Sequence, residues 1–370
     1  MGDGFEYRLT SWNQLPFNHP EGADLPVGTR LSPSLKFEWK GIFSELRFEG
    51  GAAQAAATPL GANYFESTPS STLTNKTFGC YVYEPKDAKD TFRANACVRG
   101  AELGYHFNSD WLIRAGRRRY EVTEYENMTM ANAYSAVPHW ANVYIPYGWL
   151  GAEVRYDRVR ENETFRRVMF NTAIMNGAES GYLGLLQGFT SFALDEGKSA
   201  PQLSLTAYGI LRGNPPPSPP NPDIAENGTA HGEGFATQYS QGIFSGGLGF
   251  NHQTSSFKNK NGLNGSQDRD EFTTFLDVHP SIPGGVLRFR GAFSWLTRKD
   301  EGAKNPYDPP AGHSEYHTEW TVSYHPVDGV QLSLGYLGGF GETFSTHMAF
   351  LGLLTTYKGL IPFGSSEDKK

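Results

Sequence analysis

Residues 286–295 read Val286-Leu-Arg-Phe-Arg-Gly-Ala-Phe-Ser-Trp295. Hydrophobic and polar side chains alternate along this stretch. The hydrophobic set faces one way and the polar set the other: Leu287, Phe289, Phe293 and Trp295 against Arg288, Arg290 and Ser294. Successive side chains of a β-strand point to opposite faces, so the pattern predicts a strand with one apolar face and one charged face.

The same period of two recurs along the chain. Examples, with the mainly apolar face first, are Leu35/Phe37/Trp39 against Lys36/Glu38/Lys40, Ala152/Val154/Tyr156 against Glu153/Arg155/Asp157, Leu203/Leu205/Ala207 against Gln202/Ser204/Thr206, Tyr316/Thr318/Trp320/Val322/Tyr324 against Glu315/His317/Glu319/Ser323/His325, and Val330/Leu332/Leu334/Tyr336 against Gln331/Ser333/Gly335. We predict an all-β chain with about 16 strands. They lie near 5–11, 34–40, 44–56, 77–83, 91–106, 111–119, 147–157, 165–174, 181–193, 201–212, 236–251, 270–279, 286–297, 314–325, 330–339 and 347–357.

The predicted connections are of two kinds. Short turns have Gly, Pro, Asn or Asp at 107–110, 281–285 and 325–329, and long polar loops are predicted at 51–76, 120–147, 213–233, 252–269 and 298–313. Short turns at one end and long loops at the other are typical of a transmembrane antiparallel β-barrel. Short and long connections do not alternate regularly around 84–110 and 236–251, which indicates that a strand has been missed or merged there.

Composition excludes several classes of protein. The chain has 370 residues, a net charge of -7 and 43 glycines. No run approaches the roughly 18 apolar residues of a membrane helix, and the acidic charge without a basic stripe argues against nucleic acid. No metalloprotease, hydrolase, P-loop or dinucleotide motif is present, so we expect no enzyme and no cofactor. No signal peptide follows Met1, so we expect a mature or recombinant form.

Two features favour a barrel with a water-filled lumen. The polar face carries charges of both signs at strand centres: Lys36, Glu38, Arg47, Glu102, Arg114, Glu153, Arg155, Arg288, Arg290 and Glu319. Aromatic residues lie near strand ends, as a girdle at a membrane interface requires: Trp39, Tyr105, Trp111, Trp149, Tyr156, Trp295, Tyr324 and Tyr336. A soluble β-sandwich that binds carbohydrate also fits the alternation, because one of its faces meets a core and the other meets water.

The stretch Trp111-Leu-Ile-Arg-Ala-Gly-Arg-Arg-Arg-Tyr120 resembles a strand of the bacterial outer-membrane porins, of the general or carbohydrate-selective kind. In those proteins this strand precedes a long loop that folds into the pore. The resemblance implies one barrel domain over 1–370, an inward constriction loop at about 120–147, contact with outer-membrane lipid, and a homotrimer. We further expect an exposed Pro-rich loop at about 213–235. The chain ends on Lys370 rather than on the aromatic residue usual in such proteins.

Arginines near this strand are the candidate pore-lining residues. Arg114 and Arg118 share one face, across Gly116, and we expect them in the lumen, whereas Arg117 and Arg119 would project outward at the membrane rim. The other candidates are Glu121, Glu124 and Glu126 on the following loop, and Arg155, Arg288 and Arg290 on other strands. A fixed cationic pair opposite acids orients polar solutes. Alternatively, the arginines only pair with acids on neighbouring strands.

Three further sites are weaker candidates. Tyr134, Trp140 and Tyr144 on the predicted inward loop could stack on sugar rings or could simply pack the loop against the wall. Cys80 and Cys97 form a disulfide or remain two free thiols. We expect no metal site, because His317 and His325 are about 26 Å apart on an extended strand.

The sequence therefore predicts an outer-membrane porin, a channel for passive diffusion of small hydrophilic solutes or ions. One alternative keeps the barrel as a sheath or scaffold for another outer-membrane component, such as a cytochrome. The other is the soluble carbohydrate-binding sandwich.

Overall fold

The computed structural model describes residues 4–16, 28–54, 81–83, 92–118, 149–161, 163–176, 182–197, 199–213, 224–259, 261–302, 314–341 and 345–362. These residues form eighteen β-strands. In this part of the chain, no helix is long and apolar enough to cross a membrane.

The strands, in chain order, are β1 Gly4–Pro16, β2 Gly28–Trp39, β3 Ile42–Gln54, β4 Tyr81–Tyr83, β5 Phe92–His106, β6 Trp111–Arg118, β7 Trp149–Val159, β8 Phe165–Asn176, β9 Tyr182–Ala193, β10 Gln202–Gly213, β11 Ile224–Gln241, β12 Phe244–Asn259, β13 Asn264–Val278, β14 Ser281–Ile282, β15 Gly285–Gly302, β16 Ser314–Val327, β17 Val330–Gly341 and β18 Ser345–Pro362.

The sheet closes on itself. Sixteen long strands pair antiparallel with their neighbours along the chain, and β18 pairs with β1 from Gly4 opposite Pro362 to Pro16 opposite Phe350. The two short strands are local additions to this ring: β4 pairs with β5, and β14 forms a tight hairpin with β15. The prediction of an all-β antiparallel barrel of about 16 strands is confirmed. The β-sandwich alternative is wrong, because the described strands make one closed sheet instead of two packed ones.

The two faces of the barrel differ in the way that the sequence predicts. On β8, the side chain of Ile174 is 72% exposed, whereas that of Asn171 is 1% exposed. Across the barrel, the buried side chains include Glu153, Glu271 and Glu319, and large hydrophobic ones stand outward and exposed. An apolar exterior around a charged interior is stable only when the exterior meets lipid, so these strands cross a membrane.

Aromatic pairs mark the edges of the apolar band. Near one edge, the rings of Trp111 and Tyr156 lie 5.1 Å apart, and near the other edge Trp295 stacks on Tyr316 at 6.3 Å. Above the second edge the outward side chains become polar, as in His252, whose Nδ1 lies 2.8 Å from a carboxylate oxygen of Asp270. This change from aromatic to charged side chains is what the border between hydrocarbon and headgroups requires.

One end of the barrel carries the shortest turns. Two-residue turns join β2 to β3, β11 to β12, and β16 to β17. Lys40 and Gly41 of the first turn both have positive φ, 49° and 82°, as a tight hairpin turn requires. The predicted turn at 107–110 is confirmed: the Asn108 side chain accepts hydrogen bonds from the backbone N–H of Asp110 and Trp111, each at 2.9 Å.

The structure corrects the strand predicted at 236–251. This segment holds parts of two strands, because the chain turns at Gly242 and Ile243 between β11 and β12. The outward residues change from odd positions, such as Phe235, to even ones, such as Phe250, and that change of phase is a sequence signal of the turn. The predicted strand 77–83 is described only as the short β4. These two errors cancel, so the predicted total remains close to sixteen.

Several predicted loops are also partly strand. The Pro-rich loop predicted at about 213–235 gives way to β11 from Ile224 onward, and the loops predicted at 252–269 and 298–313 give way to parts of β12, β13 and β15. The reason is physical. Beyond the membrane the outward face of a strand no longer meets lipid and carries polar side chains, so the alternation of apolar and polar residues disappears there although the strand continues.

Candidate functional site: the charged inner wall

A ladder of ion pairs crosses the inner wall on β5 to β8. Arg114 of β6 donates a hydrogen bond from Nη2 to Glu153 Oε1 of β7 at 2.7 Å, and its Nη1 lies 3.9 Å from Glu102 Oε1 of β5. The same oxygen of Glu153 lies 2.9 Å from Nε of Arg155. The strand register explains the contact, because Arg114 and Glu153 are directly opposite each other.

The ladder continues to β8. Arg167 donates from Nε and Nη2 to the two carboxylate oxygens of Asp157, at 2.8 and 2.9 Å. A fork of this kind fixes the orientation of both side chains. The ladder then contains equal numbers of acids and arginines: Glu102, Glu153 and Asp157 against Arg114, Arg155 and Arg167. Arg114 is therefore held between two carboxylates. This is the arrangement expected if the arginines pair with acids on neighbouring strands.

A second cluster surrounds Asp277 on β13. Arg288 of β15 donates from Nε to Asp277 Oδ1 at 2.8 Å and from Nη2 to Oδ2. Arg290 donates from Nη2 to Oδ2 of the same carboxylate at 3.3 Å. Both Asp277 and Arg290 are buried. Two arginines therefore share one carboxylate here.

The structure places four of the predicted pore-lining arginines on the inner face: Arg114, Arg155, Arg288 and Arg290. The backbone of Arg118 pairs with that of Trp149. The side chain of Arg118 and that of Cys97 lie outside the described part of the molecule, as do Arg119, Glu121, Glu124, Glu126, Tyr134, Trp140, Tyr144 and Cys80.

Arg117 keeps the outward register position predicted for it, because it lies opposite Leu150, which is 55% exposed. The side chain of Arg117 is only 9% exposed, however, so it does not extend freely at the membrane rim as predicted. The neighbouring Gly116 has a φ of +144°, a backbone conformation that residues with a Cβ rarely adopt. A Cβ there would also collide with the backbone of Ala101 on β5. The pairing with the neighbouring strands nevertheless continues through Gly116 without a shift, and Arg117 lies opposite Ala101 on β5.

The inner wall also carries an apolar patch that was not predicted from the sequence. Its members are inward-facing and buried: Ala173 and Met175 on β8, Leu183 and Leu185 on β9, and Ile210 on β10. The register places Met175 opposite Leu183, and Leu185 opposite Ile210. A signal was present, because the stretch 182–192 has large apolar residues at both odd and even positions.

The described side chains offer no group of three or more His, Cys, Asp or Glu residues that could hold a metal ion. What they do offer is a wall of paired charges, amides and hydroxyls. Such a wall can hydrogen-bond to water and to polar solutes along the barrel axis.

A closed antiparallel barrel with an apolar exterior and a charged interior is a transmembrane β-barrel. Solved structures similar to this chain include OmpF of Salmonella typhi, in complex with daunomycin, with a TM-score of 0.56, 10% identity, and 96% of this chain and 98% of that chain covered. OprB of Pseudomonas putida has a TM-score of 0.54 and 9% identity, with 96% of this chain and 94% of that chain covered. DcaP, an outer-membrane channel of Acinetobacter baumannii, has a TM-score of 0.51 and 12% identity, with 96% of each chain covered.

No protein-family model matches the chain, and no curated protein sequence matches it either. At identities this low the structural likeness establishes the fold, which is the sixteen-stranded barrel of bacterial outer-membrane porins. The resemblance seen in the sequence is thereby confirmed at the level of the fold.

Proposed function

We propose that this chain forms a water-filled channel in the bacterial outer membrane, through which small hydrophilic solutes or ions diffuse passively. The observation that carries the proposal is the partition of side chains in a closed ring of sixteen long strands, apolar outward and charged inward. Barrels of about 16 to 18 strands are wide enough to leave an aqueous lumen. The charged and amide side chains of the wall supply the hydrogen bonds that a hydrated solute needs.

The apolar patch on β8 to β10 supports an inward loop. Met175 and Leu183 are fully buried although they face the lumen, and the described strands form a single layer that leaves this face uncovered. Residues 119–148 are the longest segment outside the described residues, and they connect β6 to β7, next to β8. In the proposed channel, residues 120–147 pack on the patch and narrow the lumen. Arg114, Arg155 and the three loop glutamates Glu121, Glu124 and Glu126 then lie along the narrowed path.

The proposal includes a homotrimer, which rests on the porin resemblance. It also competes with one other role for the same barrel, a sheath around another outer-membrane component. A sheath needs the same apolar exterior, but its lumen is filled when it works. Solute flux through the isolated barrel separates the two roles.

We therefore expect liposomes that contain the refolded protein to swell in isotonic sugar solutions, with a rate that falls from pentoses to hexoses to disaccharides. The physical reason is that a wide polar pore sieves neutral solutes by size. Swelling rates measured by light scattering check this expectation. The control is protein-free liposomes, with the folded state of the barrel confirmed by its heat-modifiable electrophoretic mobility. A folded barrel that admits none of the sugars would contradict the channel and favour the sheath.

A further inference from the structure

The inner wall of the barrel has two unlike halves. From β8 to β17, the polar side chains that face inward are mostly buried, as at Gln187, Gln253, Thr273, Glu319 and Ser333. On β18, β1 and β3, the inward-facing Lys358, Arg8 and Arg47 have side chains that are 62%, 52% and 57% exposed. Since exposure on the inner face of a closed barrel means contact with water in the lumen or at its mouth, these strands carry the cations that are most open to water.

Each of the first three strands carries a pair of opposite charges two residues apart on its inner face. Arg8 lies 3.4 Å from Glu6 on β1, and Lys36 lies 3.4 Å from Glu38 on β2. On β3, Nε of Arg47 lies 2.5 Å from Glu45 Oε1. Residues two apart on a strand share a face, so all three pairs point into the lumen.

The register brings the exposed cations into one row. Arg8 is opposite Lys358 on one side and opposite Ser34 on the other, and Ser34 is opposite Arg47. The row Lys358–Arg8–Ser34–Arg47 thus crosses four adjacent strands, a width of about 14 Å at the usual strand spacing. Glu6, Lys36 and Glu45 form the next inward-facing row, which lies two residues along each strand toward the end with the short turns. We call the first row the cationic arc.

The carboxylates do not cancel the positive charge that the cationic arc presents to water. Glu6 and Glu45 are 28% and 16% exposed, much less than the arginines that they contact. The short acidic side chains lie against the wall, while the long basic ones extend into the water. Solutes therefore meet the positive side of each pair first. At the mouth, Lys358 also lies 3.6 Å from Asp328 in the turn between β16 and β17.

We propose that the cationic arc is an anion-binding surface, which attracts small carboxylate- or phosphate-bearing solutes and makes the channel prefer anions. This inference rests on the proposed channel function. The planar fork of a guanidinium group can donate two hydrogen bonds to two oxygens of a carboxylate or phosphate, and the hydroxyl of Ser34 in the middle of the row can add another. Arg288 and Arg290 contribute less, because both are engaged with Asp277.

The test compares ion selectivity in planar bilayers. In a KCl gradient, the wild-type channel should show a reversal potential on the anion-preferring side, and inorganic pyrophosphate should reduce its chloride current. In the triple variant Arg8→Gln, Arg47→Gln, Lys358→Gln, the ratio of chloride to potassium permeability should fall by roughly twofold or more at about 0.1 M salt, where the Debye length is near 10 Å. The effect of pyrophosphate should also be lost.

Lys299→Gln is the matched control. It removes one exposed positive charge on the outer face of β15, where Lys299 pairs with Glu301 at 2.6 Å, and it should leave selectivity unchanged. Two results would overturn the anion-binding role of the cationic arc while leaving the channel function intact. One is a conducting wild type that prefers cations, and the other is a triple variant with wild-type selectivity and wild-type sensitivity to pyrophosphate. A folded barrel without any conductance would overturn the channel function and the arc with it.

Discussion

Leu248→Arg should lower the free energy of unfolding from a lipid bilayer by about 2–4 kcal/mol, the cost of an arginine near the bilayer midplane on the outer face of a barrel. Leu248 stands outward and exposed on β12, between the outward Phe244 and Phe250. An arginine there would have to leave its charge in hydrocarbon or distort the bilayer to reach water. Denaturant titrations of the barrel folded into vesicles, followed by tryptophan fluorescence, measure the change.

His252→Arg is the control on the same strand and the same face. His252 lies beyond the apolar band and already contacts the Asp270 carboxylate, so an arginine keeps both an ionic partner and access to water. Its expected cost is roughly 0–1 kcal/mol, as for basic residues near the interface. Equal costs at the two positions would mean that the apolar face of β12 does not meet lipid.

Glu153→Gln should lower the free energy of unfolding by roughly 2–3 kcal/mol, somewhat less than the 3–5 kcal/mol found when one partner of a fully buried ion pair is removed. Glu153 is buried between Arg114 and Arg155, and its loss leaves their positive charges close together on the wall. The cost is reduced because Glu102 still faces Arg114 and because lumen water is near. The same denaturant titration in vesicles detects the effect.

Glu163→Gln is the matched control for this change. Glu163 pairs with Arg158 where both side chains are exposed, and exposed pairs contribute at most about 1 kcal/mol. If Glu153→Gln proved as harmless as Glu163→Gln, the ladder on β5 to β8 would not stabilise the wall, and its charges would be solvated independently.

The period of two in the sequence was enough to predict the barrel, the approximate number of strands and the inward position of Arg114 and Arg288. It works because each strand within the membrane meets two different solvents on its two faces. The prediction of strands failed where the two faces of a strand no longer meet different surroundings. Beyond the apolar band the outward side chains of β12 and β13 are polar too, as in His252 and Asp270, and on β9 an apolar patch lines part of the interior, so the pattern loses its contrast.

The pairing of the charges could not be predicted in the same way. Whether Arg114 meets Glu153 depends on the register between β6 and β7, which are separated along the chain by residues 119–148, and turn chemistry sets register only across short loops. The cationic arc depends on the closure of β18 onto β1, which joins the two ends of the chain.

The single-channel conductance of the refolded protein in a planar lipid bilayer decides whether the barrel is an open channel. We expect discrete current steps whose size rises with salt concentration, because a water-filled lumen conducts in proportion to the ions it admits. The same preparation should show the heat-modifiable mobility of a closed barrel. Folded protein that inserts into the bilayer and gives no steps at any salt concentration would contradict the account.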